Sequence, residues 1–312
     1  MTALVTGIAG FIGSAVARSL IEDGVNVVGV DNLSTALASN VPDGACFIKG
    51  DVQDGDLIDK LSEYKFDTIY HIAGQSSGEI SFLEPVYDLQ TNCQSTLMLL
   101  NMAKRTGCRN FVYASTMSVY GNPVNGDLPV AENHRLQPLS FYAVGKIASE
   151  SYLEIYSRQY GLSCVALRLF NVYGPGQNMS NLKQGMVSIY LAQALDSRRI
   201  VVKGSKSRFR DQVFIDDVVT AFVAARKNIQ PGFAIFNIAT GVKTAVSDVI
   251  DLLREFMPDI QSVDYVEGTP GDQYGIFGDW GAALSGIGWR PATDFRCGLW
   301  KMIEWARQAR SH

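Results

Sequence analysis

Charge is sparse in this sequence: Asp, Glu, Lys and Arg make up 19% of the 312 residues, against about 25% in an average soluble chain. With 27 basic and 31 acidic residues the formal charge is −4. No long basic run appears, which argues against a dedicated nucleic-acid or membrane-surface binder. Cysteine is also scarce. Cys46, Cys93, Cys108, Cys164 and Cys297 are odd in number and contain no CxxC pair. That pattern excludes a disulfide framework and a cysteine zinc site, and points to a reducing, cytoplasmic compartment. Three histidines without a ligand-like spacing leave no metal site to expect. No apolar run approaches the ~18 residues of a membrane span. The opening MTALVTGIAGFIG lacks a basic flank, so it reads as a strand entering a glycine turn and not as a secretory signal.

What is present is apolar residue in quantity, 47%, enough for one large domain or two ordinary ones. Short apolar runs at 3–6, 26–30, 46–48, 68–71, 111–114 and 163–169 read as buried strands. Between them, 11–22, 57–63, 85–104 and 142–160 have helical spacing. Strands alternating with helices predict an α/β fold, a Rossmann-type doubly wound parallel sheet. Beyond about residue 170 the pattern loosens, with helices expected near 186–195, 215–225, 246–256 and 297–307 and strand-like pieces at 200–202 and 234–238. The expected organisation is a dinucleotide-binding domain over 1–170, to which 213–238 returns. A smaller C-terminal substrate lobe would be built from 171–212 and 239–312.

GIAGFIG places Gly7, Gly10 and Gly13 at GxxGxxG spacing directly after the first strand. In a dinucleotide turn Gly7 permits the tight turn, Gly10 lets backbone approach a pyrophosphate, and Gly13 lets helix pack on strand. The helix N-terminus then offers N–H groups to phosphate. Asp31 ends the second strand, where a carboxylate accepts from an adenosine ribose, and Asp51 follows the third. Asp31 would repel a 2′-phosphate and no Arg follows it, so NAD is favoured over NADP. Ordinary strand-end turn residues are the competing reading.

Tyr142 and Lys146 stand four apart at the head of a long helix and share one face. A phenol of pKa ~10 needs ~4 kcal/mol of phenolate stabilisation to act as a base near pH 7, and a nearby Lys⁺ and a cationic nicotinamide both favour phenolate. The spacing also fits a tyrosine packed beside an exposed lysine. The fifth strand ends in Ser115 and Thr116, either of which would bond a substrate hydroxyl beside Tyr142; turn capping is the bland alternative, and suits Ser118 better than Thr116. His71 reads as a structural hydrogen-bonder and Asp216–Asp217 as a helix cap. Phe11, Trp280, Trp289 and Trp300 read as core.

In the order GIAGFIG, DNLS, GDV, HIAG, STMSVYG, YAVGK, RLFNVYGPGQ, RDQVFIDDV and NIATG, the chain resembles the extended short-chain dehydrogenases/reductases over nearly its whole length. It is most similar to their nucleotide-sugar epimerase/dehydratase branch, especially its UDP-galactose 4-epimerase-like members. The resemblance implies NAD contacts from Gly7, Gly10, Phe11, Ile12, Gly13, Asp31, Asn32, Asp51, Val52, Ala73 and Gly74. It makes Tyr142 the base, gives Lys146 the nicotinamide ribose, and matches Thr116 to the hydroxyl that bonds the sugar 4-hydroxyl. Asn171 and Arg210 would contact the nucleotide diphosphate, Asp272 would bind the substrate, and Ile276 would lie at the gate beside carbon 2 of the sugar. The implied reaction is 4-epimerisation of a UDP-hexose or UDP-N-acetylhexosamine through a transient 4-keto sugar. A nucleotide 4-keto-sugar reductase is the nearer alternative, and a non-enzymatic dinucleotide sensor the more distant one. Dehydratases of the branch carry Asp-Glu where this chain has Met117 and Ser118, which speaks against elimination of water. Thr269 stands where the branch has an arginine. A homodimer is also implied, through Val86, Leu89, Leu97 and Leu100 on one helix and Ile147, Leu153 and Tyr156 on another. No nucleic-acid or membrane partner is expected.

Overall fold

The computed structural model describes residues 1–124, 127–181, 185–268 and 274–310. Seven parallel strands form the central sheet: β1 (Thr2–Thr6), β2 (Asn26–Asp31), β3 (Cys46–Lys49), β4 (Thr68–His71), β5 (Asn110–Thr116), β6 (Ser163–Leu169) and β11 (Phe233–Ile238). Their spatial order is β11-β6-β5-β4-β1-β2-β3. Between β1 and β4 the winding reverses, so the loops after these two strands part and leave a crevice at their C-terminal ends. Strand interiors such as Leu4, Val5, Ile69 and Val112 are completely buried, as near-continuous apolar strands in a two-sided parallel sheet require.

Helices α1 (Phe11–Glu22), α2 (Gly55–Leu61), α3 (Gly78–Leu83), α4 (Pro85–Leu89), α5 (Ser95–Thr106) and α6 (Phe141–Tyr160) cross between the strands. The single helix expected over 85–104 is divided. A π turn at Gln90–Gln94 separates α4 from α5. There the Asn92 carbonyl accepts hydroxyl protons from Ser149 (2.7 Å) and Thr96 (3.0 Å), contacts that helical periodicity cannot signal. Helix α6 starts where Ser140 accepts from Ala143 N–H at 3.2 Å. It stops at Gly161, whose φ of 70° suits a left-handed C-cap.

The C-terminal third adds β7 (Asn171–Tyr173), α7 (Met186–Ser197), β8 (Arg199–Lys203), β9 (Phe209–Arg210), β10 (Gln212–Phe214) and α8 (Ile215–Lys227). After β11 come β12 (Thr244–Ala245), α9 (Val246–Phe256), β13 (Ser262–Val266), α10 (Gly281–Ile287) and α11 (Phe295–Gln308). Three two-stranded ladders, β7 with β10, β8 with β13 and β9 with β12, stand beside a separate apolar cluster. Leu191, Ile250, Leu253, Leu299 and Met302 are among its residues. Strand β11 instead joins the main sheet along β6.

Several sequence expectations change. Trp289 is buried, but Trp300 is 44% exposed and meets the Phe256 ring edge-on, so it lies on the surface rather than in the core. Leu100 and Leu153 point inward and are completely buried. Val86 and Leu89 of the expected set lie on the surface of this flank, joined by Phe82, Phe141 and Val144, each at least half exposed. Asp216 and Asp217 do open α8; Asp217 also accepts from Thr293 N–H and, through its carbonyl, from the Trp289 indole.

Candidate active site

The glycine turn is defined by close approach. A Cβ on Gly13 would lie 1.9 Å from the Gly7 carbonyl oxygen, so only glycine lets α1 sit this close to the end of β1. Gly7 has φ 71°, and a side chain there would strike Ala73 backbone at 2.9 Å. The loops after β1 and β4 thus touch at the crevice. Helix α1 has Gly10 as N-cap and no side-chain cap, which leaves its first N–H groups available to an anion. Asp31 faces this turn: Oδ2 accepts from Ala9 N–H (3.0 Å) and Oδ1 from Leu33 N–H (2.8 Å). Asn32 donates to Asp51 at 2.8 Å, tying the ends of β2 and β3. Phe11, Ile12, Val52, Ala73 and Gly74 follow along the same edge of the sheet.

Thr6 and His71 stitch this edge, and Thr6 carried no sequence signal. Thr6 Oγ1 accepts from Ile72 N–H and Ala73 N–H, both at 3.1 Å. With its lone pairs engaged, its proton goes to His71 Nδ1 at 2.9 Å, so Nε2–H faces the Thr96 hydroxyl at 3.1 Å. Burial pulls the His71 pKa down to about 3 and keeps it neutral, the structural hydrogen-bonder expected of it.

Tyr142, Lys146 and Thr116 come together at the end of β5. Lys146 is buried, donates from Nζ to the Ala114 carbonyl at 2.9 Å, and lies 5.8 Å from the Tyr142 ring centre. A Cβ on Gly74 would stand 3.3 Å from that Nζ. The ammonium of α6 therefore reaches the loop after β4. Burial lowers the Lys146 pKa to about 8, against the raising effect of Asp88 and Glu150. Burial is the larger influence on the Tyr142 phenol and pushes it up to about 12, against the lowering effect of the Thr116 hydroxyl.

Strand alternation separates the two hydroxyl candidates. Ser115 points away from Tyr142 and donates to Glu150 Oε1 at 2.5 Å, inside a buried Glu150–Arg168 ion pair of 2.7 Å. Thr116 faces Tyr142. It also caps the turn that follows, accepting from Ser118 N–H and donating to Ser118 Oγ, both at 3.1 Å.

On the far side, Asn171 begins β7 and its buried Oδ1 has no hydrogen-bond donor. Arg210 is 9% exposed; burial and the neighbouring Arg208 lower its guanidinium to about 10, still a cation at neutral pH. Arg210 Nη1 donates to the Phe209 carbonyl at 2.8 Å. The next residue, Asp211, is a hub that sequence reading missed. Its carboxylate accepts from Thr240 N–H and Oγ1, Gly241 N–H and Gly278 N–H, and so fastens the segment bearing Arg210. Ile276 is completely buried in the main core and presents no surface to a ligand, so the structure does not bring this gate candidate to the site. Thr269 and Asp272 lie outside the described residues. Among the described residues no group of three or more His, Cys, Asp or Glu could hold a metal ion. No helix among them is long and apolar enough to cross a membrane.

The glycine turn fits a dinucleotide: close-packed glycines, an uncapped helix start and a carboxylate at the end of β2. Fold and site geometry together define an NAD-dependent enzyme of the extended short-chain dehydrogenase/reductase class. The profile of the NAD dependent epimerase/dehydratase family matches residues 3–239. The UDP-glucose 4-epimerase of Mycolicibacterium smegmatis is 36% identical over 313 residues, covering 98% of this chain and 99% of its own. The human dTDP-D-glucose 4,6-dehydratase is 31% identical over 323 residues, 98% of this chain and 89% of its own. Among solved structures, the UDP-glucose 4-epimerase of Thermotoga maritima with UDP-glucose superposes with a TM-score of 0.96 at 34% identity, covering 99% of this chain and all of that one. This chain belongs to the NAD-dependent epimerase/dehydratase family.

Proposed function

We propose that this protein is an NAD-dependent nucleotide-sugar 4-epimerase acting on a UDP-hexose or UDP-N-acetylhexosamine. The observation that carries the reading is the grouping of Tyr142, Thr116 and Lys146 beside the glycine turn, with Met117 and Ser118 as the next residues. Met117 is buried, and neither residue moves a proton at neutral pH, so the elimination that a dehydratase performs has no acid–base pair here. The glycine turn at Gly7, Gly10 and Gly13, with Phe11, Ile12, Asp31, Asn32, Asp51, Val52, Ala73 and Gly74, would hold the cofactor. Bound there, NAD would supply the hydride chemistry at carbon 4, through a transient 4-keto sugar.

The residues of the chain supply the rest. Thr116 orients the sugar 4-hydroxyl toward Tyr142, whose phenolate oxygen accepts its proton. Lys146 orients the nicotinamide ribose and Tyr142. Burial raises the Tyr142 phenol, and the positive charges of Lys146 and of the bound cofactor would favour its phenolate. Arg210, with Asn171, is assigned to the diphosphate, and Asp272 to the substrate. Residues 1–170 and 213–238 are assigned to the cofactor, and 171–212 and 239–312 to the nucleotide sugar. Five free cysteines suit a reducing cytoplasm.

The apolar flank of Phe82, Val86, Leu89, Phe141 and Val144 supports a homodimer through α3, α4 and α6; a monomeric mass by light scattering at micromolar concentration would contradict it. The functional test is incubation with UDP-, dTDP-, CDP- and GDP-sugars, read by NMR at carbon 4. Inversion in a UDP-sugar supports the reading, whereas net consumption of NADH or NADPH by a 4-keto sugar, without inversion, replaces it with a reductase.

A further inference from the structure

Asp88 is a buried carboxylate that the reaction described above does not use. It lies on α4, two residues before the π turn, and is 1% exposed. Both hydrogen bonds to its Oδ1 come from neutral amides, Gln75 Nε2 at 2.8 Å and Asn92 Nδ2 at 3.0 Å. Its Oδ2 faces α6, standing 3.7 Å from the place a Cβ on Gly145 would occupy. Gly145 directly precedes Lys146 and lies three residues after Tyr142, so the carboxylate stands at the crossing of α4 and α6 beside the segment that carries both. Asn92 Oδ1, next to the same ammonium across Gly74, is buried without a donor.

We propose that Asp88 is the counter-charge that keeps Lys146 cationic inside the protein, a positioning residue for the Tyr142–Lys146 pair. The proposal rests on the epimerase reading for the role of that pair. The titratable groups facing Lys146 are His71 of β4, Asp88 of α4, Tyr113 of β5, and Tyr142 and Glu150 of α6 itself. His71 and Tyr113 are neutral, because burial drives the imidazole down and the phenol up. Glu150 is taken up by Arg168, through Nε at 2.9 Å and Nη2 at 2.7 Å. Asp88 is the carboxylate of the group whose bonding partners carry no charge. Removing its charge lets Lys146 lose its proton at lower pH, and takes from Tyr142 an influence that, after burial, raises its phenol, so that it too ionises at lower pH.

The test is Asp88→Asn, which preserves the oxygen that both amides bond and removes only the charge. The whole pH–rate profile of the holoenzyme should move to lower pH by about one unit or more. NAD retention after gel filtration should likewise fail at lower pH than in the wild type, and this readout needs no sugar turnover. Asp88→Glu should restore the wild-type positions, and Asp88→Ser gives the same expected shift should the Asn variant not fold. In Lys146→Arg protein, which has no titrating ammonium, Asp88→Asn should leave the pH dependence of NAD retention in place. A profile that loses height without moving, together with unchanged NAD retention, overturns the proposal. If no nucleotide sugar is turned over, the epimerase reading fails while NAD retention still decides the role of Asp88.

Discussion

Replacing Glu150 by alanine should destabilise the protein far more than its distance from the proposed chemistry suggests. Its carboxylate receives Ser115 Oγ at 2.5 Å, Arg168 Nε at 2.9 Å and Arg168 Nη2 at 2.7 Å. The two side chains of the ion pair are 3% and 5% exposed, so water cannot replace the lost partner without opening the core. Alanine leaves a buried guanidinium with only Tyr120 Oη and the Glu132 carbonyl as acceptors. Breaking such a pair costs about 3–5 kcal/mol. At about 2.1 cal/mol/K of unfolding entropy per residue, 312 residues give about 0.66 kcal/mol/K, so Tm should fall by about 5–8 °C. Ser115→Ala removes one hydrogen bond to the same carboxylate and should cost about 1.5–3 kcal/mol, or about 2–5 °C. Thermal unfolding of the three proteins, each saturated with NAD, makes the comparison. A Glu150→Ala Tm within about 1 °C of wild type, or no lower than that of Ser115→Ala, would refute the assignment of this pair as the clamp between α6, β5 and β6.

Tyr142→Phe keeps the ring and removes the proton acceptor, so turnover should drop at least ~10²-fold while NAD stays bound; near-normal turnover would sink the role given to Tyr142. Gly13→Ala places a Cβ against backbone at 1.9 Å, so α1 must move off β1. Released cofactor, assayed after denaturation, should fall to a minor fraction, and wild-type NAD content would contradict the tight turn. Arg210→Ala should raise the substrate KM at least ~10-fold with little change in NAD content, because a charge-assisted contact to a diphosphate is lost. An unchanged KM for every active nucleotide sugar would mean the substrate class is wrong.

The parts of the fold visible in the sequence are those whose physical cause is local. Short apolar runs mark β1 to β6, a period of 3.6 marks α1, α2 and α6, and glycine spacing marks the phosphate turn, because these depend on residues within a few positions of one another. Strands β7, β9, β10 and β12 are two or three residues long and exist only because a distant partner completes them. The π turn inside 85–104 has its cause on α6, in Ser149. Ser115 and Thr116 were equivalent as sequence and differ only in which face of β5 they occupy. Ile276 stood at a plausible place along the chain yet folds into the core, since position in sequence carries no direction. Asp88 sat in an expected helix without any motif, and its meaning arises from its approach to Gly145.

The central claim is internal return of hydride at carbon 4, and the most direct measurement uses a UDP-hexose deuterated at that carbon. After equilibration, NMR should show the label still on carbon 4 in both epimers, with no build-up of free reduced cofactor. Loss of deuterium to solvent, its appearance in released nicotinamide, or a product lacking water would contradict the account.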